Sequence, residues 1–390
     1  MKKIFPGYYR PTEEEFSDLW NSCLFVLDAN VLLNLYRYSQ ETSDELIQIL
    51  KQISDRLWVP HQAALEYQKN RLQTISKQLK VYDEIQKLVE DSKKELKNKL
   101  GSLSKHPYIN ANNLMKIMQK AYSAVDKDLK KLKQGHPDLL QNDNLRDVLD
   151  TLFEDKIGSP YSQKKLVEVY NLGKQRYEQE IPPGYEDKKK EGTKKYGDLI
   201  LWFQIIDKAK ETNKPVILVT DDRKVDWWTR LTGKTIGPRP ELVEEMISKA
   251  GVSFYLYQTD RFMKNAQKFL EKQVKKKAID EVREIRERDE EFERFIKEVA
   301  VSSIKFPDNT LRAICAMSSP MKLSEFVLET IGGAMSSPMK LSEVVSRAMQ
   351  EAIKSWYPIL KKNEEEAEDN NLSIDFEPKE IDEKDCQKEK

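Results

Sequence analysis

Apolar positions change period along this chain, and each change marks an element. Leu24, Phe25, Val26 and Leu27 form an unbroken apolar run of strand length, the pattern of a strand buried on both faces of a parallel sheet. The run stops at Asp28-Ala29-Asn30, after which Val31, Leu32, Leu35 and Tyr36 recur at helical spacing. Leu46, Ile49, Leu50 and Ile53 give a helix over 42–53 one apolar face. Leu57-Trp58-Val59 reads as a short strand stopped by Pro60, and His61 opens a helix with Glu66 in its second turn. From Leu199 to Ile206 the chain is apolar nearly all round, which predicts a buried helix starting at Gly197-Asp198. Val216-Ile217-Leu218-Val219 repeats the buried-strand pattern, and 252–257 alternates enough for an edge strand. Strands alternating with helices predict an α/β fold, a parallel sheet sandwiched by helices.

Longer periods follow Glu66. Ile75, Leu79, Tyr82, Val89, Leu96 and Leu100 fall on a heptad-like, coiled-coil seam that His106-Pro107 breaks. Leu114, Ile117, Ala121, Val125, Leu129 and Leu132 make a second stripe over 112–133, ended by Gly135-His136-Pro137. Together they predict a long antiparallel helical hairpin inserted in the sheet domain, its stripe packed on itself. Residues 142–174 read as short helices and loops, and 175–196 contain no strand, with a turn at Pro182-Pro183-Gly184. A charged helix is expected over 260–299. AMSSPMKLSE then occurs twice, at 316–325 and 334–343, predicting two similar short helices. Residues 363–390 hold 12 acidic side chains against 4 lysines and read as a disordered tail. The expected organisation is a sheet domain over 1–259 with its helical insertion at about 72–180, a mainly helical C-terminal region over 260–362, and the acidic tail.

Charge adds one constraint: 66 basic and 66 acidic residues cancel, so a polyanion must be held by a local patch. No apolar run approaches the ~20 residues of a membrane span, and the first residues lack a secretory apolar core. Three widely spaced cysteines, Cys23, Cys315 and Cys386, argue against a disulfide framework or a thiolate zinc site. His61, His106 and His136 show no zinc-ligand spacing either. The expectation is a cytoplasmic chain with no membrane partner. No phosphate-cradling glycine loop and no nucleophilic serine or cysteine motif occurs.

What remains is acidic. Asp28 and Asp221-Asp222 stand at the carboxyl ends of two predicted parallel strands, where open α/β sheets bind ligands. Glu66 and Asp198 stand on helices expected beside those strands. Taken singly, each has a plainer explanation, Asp28 as a helix cap above all. Taken together, carboxylates converging in one cleft need a cation, and an all-oxygen cluster suits Mg²⁺ or Mn²⁺. Such an ion supports phosphodiester cleavage.

Four segments, VLDANVLLNLYR, VPHQAALEYQKNR, YGDLILWFQI and ILVTDDRKVDWW, resemble the PIN-domain nuclease superfamily, in particular its PIN-like branch with a large helical insertion. The resemblance covers about 24–257 and implies metal-dependent cleavage of RNA, less often DNA. By that resemblance Asp28, Glu66, Asp198 and one of Asp221/Asp222 bind metal, with Asp222 in the family's Thr-x-Asp position. Tyr185, Lys188 and Lys190 match a PPGY-x-D-x-x-K stretch of the branch and join Lys194 and Lys195 as expected substrate contacts, although a lysine run is also an ordinary solvated face. Asn30 can orient Asp28, meet substrate or simply form the turn. Arg71, one turn beyond Glu66, can reach a phosphate or make an ion pair. Trp227 and Trp228 can stack on bases or pack. A toxin, a phage-defence effector and an RNA-turnover enzyme all fit such an activity. The competing expectation is a non-catalytic scaffold, its helical regions binding a protein partner or a second copy and its acidic site vestigial.

Overall fold

The structure, a computed structural model, describes residues 1–102, 110–232 and 234–301, with side chains to residue 291. Among the described residues six strands form two sheets: β1 (Leu24–Leu27), β2 (Leu57–Trp58), β3 (Val216–Val219), β4 (Trp228–Leu231), β5 (Lys234–Pro238) and β6 (Phe254–Tyr257). Four are parallel in the order β2-β1-β3-β6, with Val26 beside Leu218 and Leu218 beside Leu256. Both inner strands are buried along their whole length, as their unbroken apolar runs require. The antiparallel β4–β5 hairpin was not foreseen; its strands are short and half-exposed, and carry no sustained alternation.

Alternating side chains assign the two faces of the parallel sheet. Phe254 meets Trp202 of helix α8 (Gly197–Thr212) edge-on on one face. On the other, Phe25 and Tyr257 meet Trp20 of α1 (Glu13–Ser22), which also stacks on Phe262 of α10 (Thr259–Phe269). The sheet is therefore sandwiched. Because β1 and β3 are neighbours in register, the residues that follow them, Asp28 and Thr220-Asp221-Asp222, emerge side by side. The Asp28 amide still donates to the Val219 carbonyl at 3.1 Å.

Helix α4 (His61–Ser102) runs 42 residues without a break and leaves the sheet domain after Ile75, which is buried. It pairs antiparallel with α5 (Ala111–Gly135): Tyr82 reaches His136, and Ser92 reaches Tyr122. The stripe is not self-covered as expected. Leu114, Ile117, Val125 and Leu132 are exposed, because two lone helices bury only the seam between them.

The charged segment after 259 is two helices, α10 and α11 (Lys276–Val301), not one. Glu271 takes a positive φ of 52° in the break, and Phe269 stacks on Trp20 at 5.3 Å just before it. One compact unit runs from Met1 to Glu287, and of the second unit only 288–301 is described. His106-Pro107, the repeat at 316–325 and 334–343, the tail over 363–390, Cys315 and Cys386 lie outside the described residues.

Candidate active site

Asp28 does two jobs. It caps the short helix α2 (Ala29–Asn34), accepting from the Ala29 amide at 2.6 Å. Its other oxygen faces the cleft and accepts from the Thr220 hydroxyl at 2.6 Å and from the Asn30 amide nitrogen at 2.8 Å. Thr220 also accepts from Asn30 and from the Asp222 backbone amide, both at 3.0 Å. One hydroxyl thus ties the ends of β1 and β3 together. The Thr-x-Asp motif carried that signal.

The acids share one field. Burial pushes the Asp28 carboxyl up to about 7, and the charges of Glu66, Asp198 and Asp222 add to it against the Thr220 hydrogen bond. Burial also raises Glu66, with Asp198 contributing; Gln62, Lys190 and Lys224 oppose. Asp198, in the first turn of α8, is raised by burial and by Asp222 and Asp187 against the pull of Lys224. Asp28, Glu66 and Asp198, as much as 170 positions apart in the sequence, therefore feel one another's charge or that of Asp222.

A cation stands among them. The Lys224 ammonium donates to Asp198 at 2.7 Å and contacts Asp187 and Asp222, each at 3.1 Å. Burial works against its charge, but Asp198, Asp222 and Asp187 outweigh burial and hold it above the ordinary lysine range. Its backbone amide is fixed on the other Asp222 oxygen at 2.8 Å. Among the described residues no three carboxylate, thiolate or imidazole groups are gathered as metal ligands. The carboxylates stand at ammonium distance from Lys224 instead. Three carboxylates facing one ammonium leave an excess of hard oxygen donors, which is the donor chemistry a hard divalent cation takes.

Asp187 was not foreseen as part of this cluster, although it is the acid of the PPGY-x-D-x-x-K stretch. It is buried, and the same oxygen that meets Lys224 accepts from Lys190 at 2.7 Å. Its placement depends on the turn before it. Gly184 has φ 96°, and a Cβ there would run into the Tyr177 hydroxyl. The fully buried Asp226 accepts from the Gly184 and Glu186 amides at 2.8 and 3.2 Å, pinning this turn to the segment after β3. Burial, with Asp198 nearby, pushes Asp226 up to about 6.

Other expected site residues sit elsewhere. Asp221 turns away from the cluster: it accepts from Asn34 at 2.9 Å and from the Thr259 amide and hydroxyl at 3.0 and 2.9 Å, tying β3 to the start of α10. Asn30 joins the two strand ends, donating to Asp28 and Thr220 and accepting from the Asp221 amide at 2.9 Å. Arg71 does not face the cleft; it is buried against Asp143, which also accepts from Tyr36. Tyr185 is buried beneath the turn. Lys188 pairs with Glu180 at 3.2 Å in solvent, and Lys195 lies over the Tyr196 ring. Trp227 and Trp228 are buried, Trp227 against Trp202 and Trp228 donating to the Asp222 carbonyl at 2.5 Å.

Lys194 lines a groove of about 480 Å³ with Glu66, Lys69, Asn70, Tyr170 and Gly197. Glu66 accepts from Gln62 at 2.6 Å in its wall. The groove therefore opens onto one of the acids and carries two lysines beside it.

A family model described as a PIN-like domain matches residues 24–242, which include every acid of the cluster. No curated protein matches the chain, and no solved structure does. No described helix is long and apolar enough to cross a membrane.

Proposed function

The chain belongs to the PIN-like domain family, and from that premise we propose that it is a divalent-metal-dependent nuclease hydrolysing phosphodiester bonds of RNA or single-stranded DNA. One observation carries this reading: Asp28, Asp198 and Asp222, brought from three separate segments, are joined in one cleft through the Thr220 hydroxyl and the Lys224 ammonium, and Glu66 contributes to the field that raises Asp28. Natural structural ion pairs match charges; here acids outnumber their cations, as metal sites require.

Asp28, Glu66, Asp198 and Asp222 would hold Mg²⁺ or Mn²⁺. When bound, the cation polarises the phosphodiester and neutralises charge that develops as the bond breaks. Thr220 and Asn30 hold the Asp28 carboxylate in one orientation. The α8 N-terminus adds positive potential at Asp198. Lys69 and Lys194, in the groove beside Glu66, give a phosphate backbone the local positive wall that the neutral chain lacks overall.

Purified full-length chain with end-labelled single-stranded RNA and DNA tests this. Cleavage should need Mn²⁺ or Mg²⁺, stop in chelator and vanish in Asp28→Asn. Cleavage that persists in chelator would sink it.

The exposed apolar positions of the α4–α5 hairpin support a second, compatible reading, contact with a protein partner or another copy of the chain. Light scattering of wild type beside Ile117→Glu/Leu132→Glu would reveal a second copy as a drop in mass.

A further inference from the structure

Resting on the metal-dependent reading above, we propose that Asp187, Asp198 and Asp222 form a cation site that the Lys224 ammonium and a divalent ion can occupy only in turn. Asp187 thereby becomes a ligand of the ion, and Lys224 its built-in competitor.

The geometry is that of an ammonium site shared by three carboxylates. The Lys224 ammonium donates to Asp198 at 2.7 Å and to Asp187 at 3.1 Å, and it pairs with the Asp222 carboxylate at 3.1 Å. The three come from separate segments, so their convergence is a property of the fold. Their spacing suits nitrogen. Mg²⁺ holds oxygen at about 2.0–2.1 Å, so the same carboxylates must close inward around it. They cannot do so with the ammonium between them, and two cations at that separation repel.

Asp187 is held for this role. Asp226 grips the Gly184 and Glu186 amides, and Gly184 alone tolerates the turn against Tyr177. Lys190 also stays on Asp187 at 2.7 Å, so the carboxylate keeps one partner when the other leaves. Lys224 is built to leave. Its backbone is anchored on Asp222, while its side chain is 28% exposed on a flexible four-carbon stem. Ion uptake therefore releases an ammonium at the mouth of the cleft.

The test uses the full chain, stripped with chelator and titrated with Mn²⁺ by calorimetry. Lys224→Met should bind Mn²⁺ at least tenfold more tightly than wild type, and Asp187→Asn at least tenfold more weakly. Equal or weaker binding by Lys224→Met, or unchanged binding by Asp187→Asn, overturns the proposal. Wild-type protein supplies a second readout that needs no variant to fold. Amine-directed labelling read by mass spectrometry should rise several-fold at Lys224 when Mn²⁺ is added. Mn²⁺ uptake with unchanged Lys224 labelling overturns this proposal alone. A wild-type chain that takes up no Mn²⁺ removes the metal-dependent reading beneath it.

Discussion

Glu66 Oε1 lies 2.9 Å from where a Cβ on Gly197 would stand. The first turn of α8 passes so close to the second turn of α4 that a methyl group at Gly197 would push the Glu66 carboxylate aside. Gly197 has ordinary helical angles, φ −54° and ψ −54°, so alanine suits the backbone and favours the helix by up to about 1 kcal/mol. Gly197→Ala should therefore leave the melting temperature unchanged or slightly raised while displacing Glu66. We predict a loss of metal-dependent cleavage of at least tenfold with full folding by circular dichroism. Full activity in Gly197→Ala would show that Glu66 need not hold its position.

Asp28 sets a pH signature. Its carboxyl keeps a proton to about pH 7 in the folded chain, against 3.8 for the ordinary group. Between those values the unfolded chain has already ionised and the folded chain has not. Rising pH therefore favours unfolding across that window, and the stability lost is not regained above it. In chelator, wild type should lose stability relative to Asp28→Asn between pH 4.5 and 7.5, by on the order of a few kcal/mol. Urea denaturation at each pH measures the difference. A constant difference would mean that Asp28 ionises as in water and the acids share no field.

Arg71 is a stability residue. Its guanidinium and the Asp143 carboxylate are both about 10% exposed, and Tyr36 and Tyr67 close the network around Asp143, their hydroxyls 2.8 Å apart. Removing one partner strands a buried charge, which costs about 3–5 kcal/mol. Arg71→Met should lower unfolding free energy by about 3 kcal/mol or more and leave the salt dependence of nucleic-acid binding unchanged. A reduced salt slope at normal stability would return Arg71 to the substrate.

The sheet, and the place of Asp28 and Asp222 at its carboxyl edge, were legible because each depends on local pattern. An unbroken apolar run names a buried parallel strand, and an acid just after it must lie at the ligand-binding edge. The roles of neighbouring polar residues were not legible, because they depend on where a side chain turns. Asp221 and Asp222 are adjacent, yet one faces Thr259 and the other Lys224. Asp187 was hidden for another reason. It follows no strand and caps no long helix; only the fold of the turn at Gly184, gripped by Asp226 from 40 residues away, brings it to the cleft. The exposed stripe of the α4–α5 hairpin shows the opposite limit. Periodicity fixes which face is apolar but not what covers it.

The lysines divide into two groups with different expected effects. Lys188 pairs with Glu180 in solvent, where such contacts contribute about 0–1 kcal/mol, and it lines no part of the groove beside Glu66. Lys69 and Lys194 line that groove, on the wall formed by α4 and the segment entering α8. A single strand with its phosphate at the acids must run past them, because the neutral chain attracts it nowhere else by global charge. Lys69→Ala/Lys194→Ala should weaken binding of a single-stranded oligonucleotide. Two lost phosphate contacts should reduce the log–log salt slope by about 1.4, using the single-strand coefficient of about 0.7 per phosphate. Lys188→Ala should leave that slope unchanged. The measurement is fluorescence anisotropy in an Asp28→Asn background with Ca²⁺, so that binding is read without cleavage. If the double variant keeps the wild-type slope, the strand enters the cleft from another side and the groove is not its path.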